Sequence, residues 1–124
     1  MTMMTSKYRA LVEKLLDRTN SKLIEWRYDV HSDACRANIG SKVVELKMGR
    51  NEIEEPIAIV KIINSSGDIV DSFTDETISG AQPKGYDSYW ALMQALFSSA
   101  KNQALGVGKD VDELLEELDD ILPF

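Results

Sequence analysis

The sequence has one cysteine, one histidine and only three prolines in 124 residues. A lone thiol, Cys35, forms no internal disulfide, so the fold must rest on packing, and nothing asks for an oxidising compartment. Cys35 and His31 are two residues where a structural zinc site wants four Cys/His ligands; no metal and no cofactor is implied. Long apolar runs are missing too: no stretch approaches the roughly eighteen residues that span a bilayer. Met1-Thr2-Met3-Met4-Thr5-Ser6 lacks the charged region and apolar run of a signal peptide. The expectations are no membrane association and a cytoplasmic setting. Basic clusters are absent as well. With a pI near 4.7, little is on offer to neutralise phosphates, which argues against a nucleic-acid partner.

What is present is ordinary globular material, 44% hydrophobic and 28% charged, enough for a single α+β domain over residues 1–124. Its charge is laid out unevenly. The net charge is −7, and all of it sits in one segment: Asp110, Asp112, Glu113, Glu116, Glu117, Asp119 and Asp120 occur without a base, while the rest of the chain is balanced. Val111, Leu114, Leu115, Leu118, Ile121 and Leu122 interleave with these acids at helical spacing, which predicts an amphipathic helix rather than a solvated acidic run. Asp110 with Glu113 approximates a capping box at its start.

Upstream, Tyr8, Leu11, Val12, Leu15 and Leu16 predict a helix over residues 6–18 with Thr5 or Ser6 as N-cap. The period then changes to two. Ile24, Trp26, Tyr28 and Val30 alternate with Glu25, Arg27 and Asp29 as a half-buried strand. Cys35, Ala37 and Ile39 continue beyond a polar break, Gly40-Ser41 fits a two-residue hairpin turn, and Val44, Leu46 and Met48 return as a third strand. An exposed connection spans Gly49 to Pro56, and Ile57–Ile63 forms a strand apolar on both sides except for Lys61. Lys61 is read as a snorkelling edge charge or as the partner of an acid across a dimer contact. Gly67 suits the turn before a fifth strand at Ile69, Val70 and Phe73. Tyr86 to Ala104 reads as an aromatic-rich helix, with Asp87 or Ser88 capping its start and Gly106 its end. The sum is an N-terminal helix, a five-stranded antiparallel meander and two C-terminal helices packed on one face. Either Ile57, Ile59 and Ile63 or Ala58, Val60 and Ile62 must then face away from the helices, and self-association across that strip is the expected remedy.

Gly67-Asp68-Ile69-Val70-Asp71-Ser72-Phe73, Tyr89-Trp90-Ala91-Leu92-Met93 running to Ala104-Leu105-Gly106-Val107, and Asp112 to Leu118 together resemble a layout of small uncharacterised bacterial and phage α+β proteins. The resemblance covers about half the chain. It implies a prokaryotic, intracellular setting and carries over no catalytic residue.

Candidate chemistry is sparse. Cys35 reads as core and His31 as a loop residue rather than a nucleophile and base. Asp29 with Asp33, and Asp75 with Glu76, read as solvated rather than as acid/base pairs. Glu52, Glu54 and Glu55 lack the alternation and central glycine of a calcium loop. Without a converging nucleophile, base or metal set, the chain is read as non-enzymatic. Its expected role is protein–protein interaction, as a homo-oligomer or with another protein, through Leu114, Leu115, Leu118 and Ile121 as apolar anchors and Glu116 and Glu117 as steering charges. The alternative is a protein that binds or sequesters a small molecule such as a nucleotide metabolite, of phage counter-defence type. Its pocket at an oligomer seam would be walled by Trp26 and Tyr28 with Arg27 or Arg36.

Overall fold

Apolar residues spaced three and four apart need a helix to share a face, and the first such set builds α1, Met3–Asn20, in the computed structural model, which describes residues 3–106 and 108–121. The helix starts earlier than its hydroxyl residues suggest. Thr5 and Ser6 lie inside its first turns rather than capping it, because no glycine or proline breaks the run from Met3 onward. It ends without glycine: Lys22 takes the left-handed conformation (φ 61), and the Leu23 amide donates back to the Arg18 carbonyl at 2.9 Å.

Five strands follow in meander order: β1 (Arg27–Asp29), β2 (Ala34–Ile39), β3 (Lys42–Arg50), β4 (Pro56–Ile63) and β5 (Ile69–Thr74). All neighbours are antiparallel, so β1 and β5 are the edges. The first strand is shorter than its alternation implies. Val30 is exposed in the turn before β2, where the Asp29 carboxylate accepts from the His31 amide at 3.0 Å. That bond holds the Asp29 carboxyl below its usual pKa. Gly40 (φ 60) and Ser41 make the tight β2–β3 turn. The β3–β4 loop is also tighter than expected: Asn51 Oδ1 accepts from the Ile53 and Glu55 amides, each at 3.0 Å. Asn64 does the same for Ser66 and Asp68 ahead of β5.

Two long helices cover one face of this sheet. Cys35, Leu46, Val60 and Phe73 stand in register across β2 to β5, all buried under the second helix, α2 (Tyr89–Leu105), and under α1. On α2 the buried set is Tyr89, Leu92, Met93, Leu96, Phe97 and Ala100. Ser88 caps it, its hydroxyl accepting from the Ala91 amide at 3.1 Å, and Gly106 (φ 68) closes it. α1 lies beside α2 and reaches β5, where the Tyr8 ring stacks on Phe73 at 4.1 Å between centroids. Arg9 ties down the long β5–α2 connection by donating to the carbonyls of Ile78 (2.9 Å) and Ser79 (2.7 Å). Register therefore settles β4: Ala58, Val60 and Ile62 face the helices, and Ile57, Ile59, Lys61 and Ile63 face away. Lys61 is not an edge charge, since β4 lies between β3 and β5.

Candidate functional site

The third helix, α3 (Lys109–Asp120), is where amphipathicity goes unused. Its apolar residues Val111, Leu114, Leu115, Leu118 and the terminal Ile121 are 55 to 63% exposed, and no residue of the helix is buried. The helix follows α2 through a link in which Gly106 (φ 68) and Gly108 (φ 95) both adopt left-handed backbone, a conformation that favours glycine. Gly108 is the N-cap and supplies no side chain. Asp110 is thus inside the helix, and the capping box expected from Asp110 and Glu113 does not form. The expected anchors share one side of α3 and stand clear of the body; Leu122 lies outside the described residues. At the root of the helix, a depression of about 550 Å³ is lined by residues around the end of α1, on α2 and the link and in the first turn of α3, among them Asn20, Lys22, Asn102, Gln103 and Asp112, and none of the leucines enters it.

Electrostatics leave α3 unsatisfied as well. Asp110 and Asp112 suit the positive N-terminal end of the helix dipole, but Asp119 and Asp120 sit at the negative end and no base lies in the last turn. Asp112 with Glu116, Glu113 with Glu117, and Glu116 with Asp120 are like-charge neighbours four residues apart, each mildly destabilising. Helices of about twelve residues are marginal in water even without such repulsion. A cationic surface with an apolar floor would relieve every one of these defects.

The sheet face away from the helices has that character. Across it run Arg27, Arg36, Glu45, Lys61 and Ser72 in register, one residue from each strand. A neighbouring row holds Asn38, Val43, Ile63 and Ile69, and the row on the other side holds Ala34, Lys47, Ile59 and Thr74. Glu45 is 6% exposed and accepts from Arg36 Nε at 3.1 Å. The outward isoleucines are better sheltered than their number suggests: Ile57 is buried, and Ile59 folds over Gly49, its Cδ1 only 2.9 Å from where a Cβ would stand. Val43, Ile59, Lys61 and Ile63 remain half-exposed, and Ile69 is exposed. Sequence reasoning grouped Ile57, Ile59 and Ile63 along their own strand as one of two possible outward strips. The rows themselves depend on strand register, which alternation alone does not supply.

The four residues named for a ligand wall are divided between the two faces. Trp26 is buried in the core, its indole Nε1 donating to Thr19 Oγ1 at 2.9 Å and its amide to Gln103 Oε1 at 2.8 Å. Tyr28 faces the same side, where its hydroxyl bonds Asp33 and its ring lies 4.7 Å from Lys101 Nζ. The bond to Asp33 raises the Tyr28 pKa, and contact with the tyrosine raises that of Lys101. Arg27 and Arg36 project from the opposite face, toward Asn38 and Glu45. Successive residues of a strand point to opposite sides, so Trp26 and Tyr28 do not wall one pocket with Arg27 or Arg36 within the chain.

Cys35, His31 and Asp75, also weighed for chemistry, lie apart from one another. Cys35 is fully buried, and burial pushes its thiol up to about 11; His31 lies exposed in the β1–β2 turn. Asp75 Oδ1 accepts from the Ala58 amide at 2.8 Å, and partial burial raises its pKa. Among the described residues no three His, Cys, Asp or Glu side chains gather as metal ligands, and no helix is long and apolar enough to cross a membrane. Comparison with protein families, curated proteins and solved structures finds no match to this chain.

Proposed function

We propose that the protein is a non-enzymatic interaction module, an α+β body that presents α3 as its recognition element. One observation carries the reading: five large apolar side chains, spaced to share one side of a helix, are more than half exposed. A helix in that state is the half of a helix-in-groove contact that awaits its groove, with Leu114, Leu115, Leu118 and Ile121 as anchors. Glu116 and Glu117, on the polar side of the helix, steer encounter with a basic surface. The body supplies a rigid base and an unstrained attachment through two glycines. The reading takes the cytoplasm as its setting, where an unpaired thiol such as Cys35 is stable.

The test is affinity capture with the full chain beside a Leu114→Asp/Leu118→Asp variant, in extract of the source cells and with the pure protein as prey. A polypeptide held by the first and lost by the second supports the reading. If both retain the same set, α3 is not the recognition element.

A further inference from the structure

We infer that the surface taken by α3 is the outer sheet face of a second copy of this chain, and that the exchange is reciprocal. This deepens the interaction reading and rests on it.

Charge comes first. Two α3 helices cannot pair with each other comfortably, because each carries seven acids against the single base Lys109. The outer sheet face presents Arg27, Arg36, Lys47 and Lys61 around Glu45 and Asp29, with Val43, Ile59 and Ile63 between them as an apolar floor. That is the complement of a leucine stripe bordered by carboxylates, and its cations answer the repulsion and the unfavourable C-terminal aspartates of α3.

Dimensions agree. A helix of 12 residues is about 18 Å long, and five strands at their usual spacing are about 19 Å across. Laid across the strands, α3 spans the sheet, its stripe on the row of Val43, Ile63 and Ile69 and the acids of one flank beside the neighbouring basic row.

The chain's own α3 cannot occupy this face. α2 lies on the helical side of the sheet, and the link from Gly106 to Gly108 spans at most about 10 Å. A helix on the opposite face would sit two layers away, about 20 Å at the usual packing distances. Only another molecule's α3 fits. Area favours the reciprocal form: one short helix makes roughly half a stable interface, whereas α3 plus the outer face brings about two dozen residues from each copy, the ordinary size of one side. A two-fold axis satisfies both seats at once.

The experiment is a charge exchange read by size-exclusion chromatography with light scattering on the full chain. Wild type is a dimer at high micromolar concentration. Arg27→Glu/Lys47→Glu places acids beneath an acidic helix, and Glu117→Lys/Asp119→Lys, at the two carboxylates that border the leucine stripe on either side, places bases over a basic sheet. Each variant alone is a monomer, its dissociation constant raised at least about tenfold. Mixed, they form a heterodimer, because both reciprocal seats are again complementary. Circular dichroism and urea midpoints near wild type show that the substitutions act on association.

A monomeric wild type overturns the inference whatever the variants do, and so does a variant that stays dimeric alone or a folded pair that stays monomeric when mixed. The capture from cell extract with Leu114→Asp/Leu118→Asp reads a partner other than this chain and is untouched by these results, so the interaction reading stands or falls separately.

Discussion

Removing α3, by ending the chain before Lys109, should leave the body as stable as before. The magnitude follows from exposure. Had Val111, Leu114, Leu115, Leu118 and Ile121 been docked on their own chain, burial worth about 1.5 to 3 kcal/mol for each large side chain would be lost, well over 5 kcal/mol together. Instead they are 55 to 63% exposed and the rest of α3 is exposed with them. The expected change is within about 0.5 kcal/mol, that of a surface alteration. The assay is urea unfolding at low protein concentration, followed by the fluorescence of Trp26 and Trp90, which both lie in the body. Midpoint and slope should match those of the full chain, since unfolding exposes little new surface in α3. At high concentration the full chain's midpoint should climb by mass action while the truncated chain's stays put. A loss of about 2 kcal/mol or more at low concentration would mean that α3 completes the monomer's core, and the reasoning would be refuted.

Gln103 clasps the segment before β1, donating to the Ile24 carbonyl and accepting from the Trp26 amide. Gln103→Ala should cost about 2 to 4 kcal/mol by orphaning two part-buried backbone groups, seen in urea unfolding and as faster hydrogen exchange at Trp26. Cys35, buried and with its thiol held near pH 11, should ignore a disulfide reagent at pH 8 in the native protein and react at once in urea. A native reaction on the minute scale would contradict the assigned burial. Burial and the bond to Glu13 push the Tyr89 phenol up to about 12. A raised folded-state pKa stabilises fully below the unfolded value of about 10 and is lost as pH climbs toward 12. Alkaline unfolding should therefore set in across that window, and Tyr89→Phe should blunt it.

Much of this architecture was legible from periodicity. The alternation of Cys35, Ala37, Val44, Leu46 and Val60 and the turn at Gly40-Ser41 mark a meander, and Ser88 and Gly106 bracket α2 as their types suggest. What escaped was whatever depends on partners distant in sequence. Ile24 to Val30 alternates like a seven-residue strand, but a strand needs a ladder, and β2 starts only at Ala34, so pairing stops at Asp29. The ambiguity of β4 is resolved by register, which sets Val60 opposite Leu46 and Phe73. Gln103 lies more than seventy residues from the groups it bonds, and nothing local marks it. For the candidate site, the stripe on α3 was plain in the sequence because it is one helix read on its own. The basic and apolar rows of the outer face were not, because each row takes one residue from each of several strands. Trp26 and Tyr28 lie on the helical side and Arg27 and Arg36 on the outer face, so a wall built from all four would take residues from two copies at a seam.

Reciprocal seating of α3 on the sheet is tested most directly by paramagnetic relaxation between copies. A spin label is attached at Asp119→Cys, on the polar side of α3, where Cys35 is too buried to compete for the reagent, and the labelled chain is mixed with an isotope-enriched wild-type chain. Broadening should fall on the outer-face strands, at amides such as Arg36, Lys47, Ile59 and Lys61, and disappear when the enriched chain carries Arg27→Glu/Lys47→Glu. Broadening confined to α3 or to the helical side, or none at concentrations where the chain is dimeric, would contradict the account.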